Sequence, residues 1–392
     1  MKDATIISYP GYHDDYLLSL TGLRSRYMVP FAGRYRVVDF TLRNAFFCKA
    51  KNLFIFSRVN DDLAFYVESH PIVKTNKTTV VKTVISEKTE IRMIYDMVKS
   101  TQTAYYILHC GDNPGFINFY KLFEKYQTKK AATILFKLKL GDKASLAYTI
   151  LITTRKFLLS VLKKALNSNE TSPNVFEMIV NMLINKGVLN STFKATYWPI
   201  RSVPDYYDYN MFLFKDQASF NRIYEDNLLL SGIERDNTTQ IGPFAKITRS
   251  YISDGCILNG TIDNSIIFPG VIVAERAVVR DSILLPYVGI GQQSVIQRSI
   301  IDEFTDYNQS DILFNISEKV RIGSDELQLK NNDFPRSIYN AITLIGKNSI
   351  IPSGVRVGAA CYIASGVSSS VFDEKKTLYD GLSILNRLVK KE

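Results

Sequence analysis

Residues 345–363 have the sequence Ile345-Gly346-Lys347-Asn348-Ser349-Ile350-Ile351-Pro352-Ser353-Gly354-Val355-Arg356-Val357-Gly358-Ala359-Ala360-Cys361-Tyr362-Ile363. Ile345, Ile351, Val357 and Ile363 recur at intervals of six residues, with Gly, Ser and Asn between them. A period of six is not a helical period. It is typical of a left-handed parallel β-helix, where each hexapeptide forms one face of a triangular coil and its apolar residue points to the axis.

A longer repeat precedes this stretch. Residues 249–252, 264–267, 281–284 and 298–301 resemble one another, and their serines are spaced 15, 17 and 17 residues apart. Because three hexapeptides make about eighteen residues, each segment fits one slightly shortened coil. An antiparallel sandwich of short strands is the alternative, but the two spacings together favour the β-helix. A polar stretch from about 303 to 340 separates the repeats and predicts a long inserted loop.

Composition limits the classes of function. The chain has 392 residues and 46% hydrophobic content, enough for two domains with proper cores. It contains no apolar run of membrane-spanning length and no signal-like N-terminus, so we expect a cytoplasmic protein with no membrane partner. Its four cysteines form no CxxC pair. The net charge of +10 comes from scattered lysines without a nucleic-acid motif, so no nucleic-acid partner is expected.

The first part of the chain alternates strand and helix patterns. Short apolar runs at 4–9, 53–56, 105–110 and 132–136 predict buried strands, and 117–129 predicts a helix. This order predicts an α/β domain, Rossmann-like, whose mostly parallel sheet binds ligands at the carboxyl ends of its strands. We place this domain at residues 1–228 and the β-helix domain at residues 229–392.

One motif resembles a known family. Residues 29–40 read Val29-Pro30-Phe31-Ala32-Gly33-Arg34-Tyr35-Arg36-Val37-Val38-Asp39-Phe40, with Leu42 and Asn44 beyond. The stretch is similar to the PFGGKYRIIDFxLSN motif of ADP-glucose pyrophosphorylase (glucose-1-phosphate adenylyltransferase), and the repeats resemble that family's C-terminal β-helix. The resemblance implies a nucleotidyltransferase domain that joins glucose 1-phosphate to the AMP part of ATP.

The family's phosphate-binding loop is degenerate in this chain. In the register of AGGxGTRLxxLTxxRAKP, only Gly11 remains of the glycines, Tyr12 and His13 crowd the loop, and Tyr16 replaces the arginine. Glycines are needed there so that backbone N–H groups can close on a triphosphate. The resemblance leaves three remnants: Arg24 aligns with the arginine of RAKP, Arg26 stands in place of its lysine, and Asp112 aligns with the first metal-binding aspartate.

The second metal ligand is also missing. In the register of the family's YWxDVGTxxxYxxAN motif, Pro199 stands in the place of the aspartate and Arg201 in the place of the glycine. The sugar-phosphate segment EKP has no counterpart between residues 137 and 148. One aspartate alone does not organise a Mg²⁺ site, so we expect no catalytic residues, no metal site and no cofactor, with Mg²⁺ only if the chain is active.

These departures resemble the non-catalytic GlgD-type subunit of the family. That resemblance implies a regulatory subunit of bacterial glycogen synthesis, with a homologous catalytic GlgC-type subunit as its partner in a mixed tetramer. A diverged but active pyrophosphorylase is the alternative. A hexapeptide acyltransferase is disfavoured because His13, His70 and His109 all precede the coil.

The resemblance also implies an effector site. Arg34 takes the place of the family's activator-binding lysine, and Arg36 and Arg43 lie close by in the sequence. Arginine binds phosphate in a bidentate manner, so an anionic sugar-phosphate effector is the expected ligand. The alternative is that these arginines pair with Asp39 or with acidic surface groups. Asp39 and Asn44 are interpreted as residues that hold the helix after the loop.

Overall fold

A computed structural model gives the structure of the chain. It describes residues 1–10, 14–57, 61–75, 79–85, 90–140, 144–167, 175–184, 188–232, 238–305, 313–374 and 376–386. No helix among these residues is both long enough and apolar enough to cross a membrane.

The N-terminal part is built around a seven-stranded sheet. Its strands run in the order β10-β8-β9-β6-β1-β4-β5, and all neighbours are parallel except that β9 is antiparallel to both β6 and β8. The mostly parallel sheet and its four predicted strands are therefore confirmed. The strands of this part are β1 Ala4–Tyr9, β2 Pro30–Phe31, β3 Tyr35–Arg36, β4 Asn52–Ser57, β5 Val80–Ile85, β6 Tyr105–Cys110, β7 Gly115–Phe116, β8 Thr133–Leu140, β9 Ala144–Thr154, β10 Leu189–Phe193 and β11 Thr196–Tyr197.

Helices cover both faces of the sheet. Adjacent residues of β1 show this, because Ile6 packs with Val38 and Leu122 in one apolar cluster and Ile7 packs with Leu158 in another. The predicted helix over 117–129 is α6. The helices are α1 Ser19–Gly22, α2 Val37–Phe47, α3 Leu63–Ser69, α4 Pro71–Thr75, α5 Glu90–Ser100, α6 Phe119–Thr128, α7 Arg155–Leu166, α8 Val175–Ile184, α9 Val203–Leu213 and α10 Gln217–Tyr224.

The C-terminal part is a three-sided parallel β-helix. Its short strands form three parallel sheets, which we call the first, second and third faces of the coil. The predicted boundary at 228/229 falls between α10 and the first coil strand. The first face has β12 Gln240–Ile241, β15 Ile257–Leu258, β18 Ile272–Val273 and β21 Gly289–Ile290. The second face has β13 Lys246–Thr248, β16 Thr261–Asp263, β19 Val278–Arg280, β22 Val295–Gln297, β24 Arg321–Ile322, β26 Arg356–Val357 and β28 Thr377–Leu378. The third face has β14 Tyr251–Ile252, β17 Ile266–Ile267, β20 Ile283–Leu284, β23 Ser299–Ile301, β25 Thr343–Ile345, β27 Tyr362–Ile363 and β29 Ser383–Ile384.

Both predicted repeats are confirmed by the strand pairing. Ile345 and Ile363 are register partners on the third face, so eighteen residues complete one coil, and all four residues of the six-residue ladder are at most 1% exposed. The serines mark equivalent corners. Ser265 N–H donates to Ser250 Oγ, and Ser282 N–H donates to Ser265 Oγ, at 3.1 and 3.2 Å. Each corner hydroxyl thus satisfies the backbone of the next coil.

The predicted loop over about 303–340 is wrong in part. Ile316 bridges Ile290 and Ile351 on the first face, and β24 pairs with both β22 and β26 on the second face. Residues 316–322 therefore supply two faces of a regular coil. Residues 306–312 of the predicted loop lie outside the described residues. The repeat spacing does not show this coil, because the register partners Ser299 and Thr343 on the third face lie far apart along the sequence.

The third face is buried on both sides. Inward residues such as Ile267 and Leu284 fill the axis, and their outward neighbours Ile266 and Ile283 are no more than 1% exposed. The N-terminal part covers this outer side: Tyr207 donates a hydrogen bond to Asp281 O at 2.5 Å. A single apolar cluster joins the two parts through residues of both, among them Leu17, Leu20, Phe31, Trp198, Tyr206, Ile283, Leu344 and Tyr362.

Candidate functional site

Asp112 lies at the carboxyl edge of the sheet. β1 and β6 are register partners up to Tyr9 and Cys110, so the segments that follow them begin at the same edge. Asp112 is fully buried. Its Oδ2 lies 3.6 Å from Arg26 Nε, and its Oδ1 accepts a hydrogen bond from Asn113 Nδ2 at 3.1 Å. Burial and the charge of Asp112 together raise the pKa of Tyr27 well above its ordinary value.

The segment that carries Pro199 lies directly beside Asp112. Trp198 N–H donates to Pro114 O at 3.0 Å, and Ile200 N–H donates to Asn113 Oδ1 at 2.8 Å. Pro199, between them, is buried and offers no side-chain oxygen. The structure therefore places Pro199 next to the remnant aspartate, where the alignment of the motif puts the second metal ligand.

Arg26 fills the space between these two segments. Its Nη2 donates to Ile200 O and, at 3.3 Å, to Asn113 Oδ1. The guanidinium is 4% exposed and thus holds Asp112 and the Pro199 segment together from inside. A fixed cation at this position neutralises the charge that would attract Mg²⁺.

The donor set does not fit a metal. The described residues contain no group of three or more His, Cys, Asp or Glu side chains that could hold a metal ion. Mg²⁺ requires several oxygen ligands in octahedral geometry. Asp112 is paired with a guanidinium, and its neighbour is a proline, so no step through a metal can be derived for this chain.

The segment after β1 packs against the coil. Residues 11–13, with Tyr12 and His13, lie outside the described residues, and Tyr16 is 41% exposed. Leu17 and Leu20 are buried in the apolar cluster that is shared with the coil. Arg24, 2% exposed, does not face Asp112; its Nη2 donates to Asp302 Oδ1 at 2.6 Å. Although burial opposes its charge, the nearby carboxylates raise the pKa of Arg24.

The three predicted effector arginines contact three different carboxylates. Arg34 Nη2 lies 3.5 Å from Asp254, which is half exposed, and Arg36 Nη2 lies 3.3 Å from buried Glu303. Arg43 donates to Asp226 Oδ2 at 2.6 Å. The alternative interpretation named Asp39 or acidic surface groups as partners. Within the described part of the chain, the guanidinium groups pair with carboxylates other than Asp39, and one of these, Asp254, is at the surface. Effector binding through these residues stays a prediction.

Asp39 and Asn44 hold structure around α2. Asp39 Oδ2 accepts from Arg36 N–H at 2.8 Å, and Tyr66 donates to Asp39 Oδ1 at 2.9 Å. Asn44 bonds Gly115 O and Ile117 N–H, which fixes the segment that follows Asp112. These contacts agree with the interpretation of both residues as structural.

The same motif also holds the connection to the coil. Ser231 Oγ donates to Arg34 O at 2.8 Å, and Gly232 N–H donates to Tyr66 OH at 2.9 Å. Gly33 adopts a φ of +74°, and a Cβ there would lie 2.3 Å from the ring of Tyr251 on the coil. Glycine is required at this position by both the backbone conformation and the close approach.

His109 is a buried base that the sequence analysis did not single out as functional. It lies on β6, is 1% exposed, and stacks edge-on against Phe119 at 5.0 Å. Neither ring nitrogen has a hydrogen-bond partner of good geometry among the described residues. The backbone of Cys110 favours the protonated ring, but burial has the larger effect on its pKa. Burial lowers the pKa of His109 to about 3.

His109→Phe is expected to make the protein less sensitive to acid. The unfolded histidine takes up its proton near pH 6.5 while the folded one does not, so stability falls as the pH drops from about 6.5 toward 3. The loss is about 1.4 kcal/mol per pH unit, or roughly 2.7 kcal/mol by pH 4.5. Urea unfolding of both proteins at pH 7.5 and 4.5 measures it. Parallel losses in the two proteins would contradict the assignment.

Several residues of this region escaped the sequence analysis. Asn113 forms hydrogen bonds with Asp112, Arg26 and the Pro199 segment. Asp302 and Glu303 form ion pairs with Arg24. The acidic pair did leave a signal, because it directly follows the last apolar strand of a repeat. The only sequence signal for Asn113 is its position directly after Asp112.

Comparison with known proteins agrees with this architecture. Residues 238–345 match a family model described as GlmU-like, C-terminal hexapeptide. A protein named glucose-1-phosphate adenylyltransferase from Pseudothermotoga lettingae is 26% identical, over 96% of this chain and 97% of that protein. One of the same name from Thermotoga neapolitana is 26% identical, over 89% of this chain and 90% of that protein.

A shorter match involves a protein of the same name from Acetivibrio thermocellus, which is 24% identical over 53% of this chain and 47% of that protein. The long matches include both the sheet and the coil. Over nearly its whole length, the chain is therefore similar to proteins named glucose-1-phosphate adenylyltransferase.

Proposed function

We propose that this protein is a non-catalytic subunit of glucose-1-phosphate adenylyltransferase in bacterial glycogen synthesis. It would join a homologous catalytic subunit in a mixed oligomer and raise that subunit's activity. The observation that carries the proposal is the Arg26–Asp112 ion pair beside Pro199. Here a fixed internal cation stands where the reaction needs a metal ion between carboxylates.

The reaction transfers a phosphate-containing group, so its transition state carries negative charge. Catalysis of such a transfer depends on positioned cations and donors aimed at the developing negative charge. The Arg26 side chain is 4% exposed; its Nη2 donates to Ile200 O and Asn113 Oδ1, and its Nε faces Asp112, so these groups point into the protein. Removing one electrostatic stabiliser typically lowers the rate 10²–10³-fold, and here the second carboxylate and every loop glycine except Gly11 are missing.

The preserved framework supports a role in assembly. The motif around Gly33 and Asp39 contacts the segment that leads to the coil and the coil itself. The third face of the coil packs against the N-terminal part. A related catalytic chain offers matching surfaces, from which a pseudo-symmetric oligomer is expected. Activation requires that this chain contact the active and inactive forms of its partner unequally.

An anionic sugar-phosphate effector belongs to the same proposal. Arg34 is the best placed of the three candidate arginines, because its carboxylate partner Asp254 is half exposed. Arg36 and Arg43 contact carboxylates that are 3% and 11% exposed.

An active adenylyltransferase is the second candidate. It is supported by the relatives of that name, which match up to 96% of this chain. The two candidates differ in one measurable quantity, the rate of ADP-glucose formation by the isolated chain.

The purified chain alone is expected to form ADP-glucose at least ~10³-fold more slowly than a catalytic relative, because several stabilising groups are missing. Mixed with a catalytic relative that keeps both metal-binding aspartates, it should raise the activity of that relative roughly 5–150-fold, which corresponds to a coupling of ~1–3 kcal/mol. Kinetics and size-exclusion chromatography after co-expression test both statements. The catalytic relative alone, at equal total protein, is the control.

Two results would overturn the proposal. Turnover by the isolated chain within tenfold of the catalytic relative would favour the second candidate. Separate elution of the two proteins with unchanged kinetics on mixing would remove the assembly role.

A further inference from the structure

The outer side of the second face carries a row of side chains that contains several positive charges. The row takes one residue from each strand and runs in register from Lys246 through Val278 and Val295 to Arg321 and Arg356. The three cations are exposed, and the two valines are partly exposed. Because the N-terminal part packs against the third face, this row lies on a different side of the coil.

Arg321 and Arg356 are direct register partners on neighbouring strands. Parallel strands lie about 4.8 Å apart, so two like charges leave the same face from adjacent positions. Gly323 and Gly358 come two positions after these arginines, so that no side chain stands beside them there. Like charges in direct register destabilise a sheet, and the two arginines therefore do not serve the stability of the coil.

Within the described part of the chain, neither arginine has a counterion. Arg321 and Arg356 form no ion pair and no side-chain hydrogen bond with another described residue. Two carboxylates beside this face have other partners: Asp263 accepts a hydrogen bond from Arg249 Nη2 at 2.7 Å, and Asp325 accepts one from a glutamine of β22. The charge of the arginine pair is thus available to a group outside the chain.

We propose that this row of the second face binds an acidic surface of a partner protein. The planar guanidinium groups of Arg321 and Arg356 can each bind a carboxylate through two parallel hydrogen bonds. Val278 and Val295 continue the row and add apolar contact area, and arginine beside apolar side chains is typical of protein–protein interfaces. This inference does not depend on the proposed function.

The composition of the row favours a protein over a nucleic acid. Surfaces that bind single-stranded nucleic acids combine positive charge with aromatic side chains on which the bases stack. The row from Lys246 to Thr377 contains no aromatic side chain, and two of its members are valines. An oligonucleotide is therefore the competing ligand in the test.

Fluorescence anisotropy of a labelled poly-L-glutamate peptide, titrated with the full chain at low ionic strength, tests the proposal. The variant with both Arg321→Gln and Arg356→Gln is expected to bind this peptide at least roughly fivefold more weakly than the wild-type protein, because two charge-assisted contacts are lost. The matched control combines Lys121→Gln with Lys129→Gln, which removes two exposed positive charges on and directly after α6. Its affinity should change by no more than about twofold.

Thermal unfolding of the same variants checks that the arginine pair is uncompensated inside the chain. When both arginines are replaced, the Tm is expected to stay the same or to rise by about 1–2 °C at low salt, because two like charges no longer repel each other. A fall in the Tm would show that the arginines have stabilising partners within the chain, and the proposal would be wrong.

The proposal requires that the arginine variant loses peptide binding while the lysine variant keeps it. Equal losses in the two variants would show only a general attraction between a basic protein and an anion. Failure of the wild-type protein to bind the peptide would remove the acidic partner. Tighter binding of a single-stranded oligonucleotide of equal charge, lost in the same arginine variant, would assign this surface to a nucleic acid instead.

Discussion

Val357→Asp is expected to unfold the coil at room temperature or to lower the stability of the protein by more than about 4 kcal/mol. Val357 is 1% exposed and points into the coil axis, where its register partners Ile322 and Leu378 lie on the strands before and after it. An aspartate there places a charge among apolar side chains with no partner. Circular dichroism and urea unfolding measure the loss.

Arg356→Asp is the matched control, because Arg356 is the neighbour of Val357 on β26 but is exposed on the outer side. Its replacement is expected to change stability by no more than roughly 1 kcal/mol. Equal effects of the two variants would mean that the six-residue ladder does not face the axis.

Arg26→Met is expected to destabilise the protein by about 3–5 kcal/mol, because it leaves the carboxylate of Asp112 buried without its cation. Asp112 is fully buried, and its neighbour Pro199 provides no donor. Urea unfolding at pH 7 measures the difference from the wild-type protein.

Adding Asp112→Asn to Arg26→Met should recover a large part of this loss, since the double variant no longer buries a carboxylate whose guanidinium has been removed. Additive losses in the double-mutant cycle would show that Arg26 and Asp112 are not coupled, and Arg26 would then not account for the neutralised charge at Asp112. The cycle thus tests the interpretation of the pair as structural without any assay of activity.

The regular parts of the fold were predictable because their signal is local. The six-residue ladder from Ile345 to Ile363 and the strand that ends at Cys110 depend on neighbours within one repeat or one strand. The coil that contains Ile316 and Ile322 was missed, since insertions on both sides break the spacing on which the prediction depends.

For the candidate site, the sequence indicates only which residues differ from the family's motifs. The substitutions at Tyr16 and Pro199 are visible in the sequence, but the partner of Arg24 lies 278 residues away, and no periodicity connects the two. The motif resemblance singled out Arg34, and Arg36 and Arg43 were grouped with it because they lie close by along the chain. Their carboxylate partners come from distant segments, and these contacts depend on the tertiary packing.

The doubly apolar third face has a consequence for expression. A fragment that begins near residue 238 would present the outward row Tyr251, Ile266, Ile283, Ile300, Leu344 and Tyr362 to water. An exposed apolar strip of this length promotes aggregation. The N-terminal part of the chain therefore shields this strip from water, and it cannot be removed without lowering the solubility of the coil.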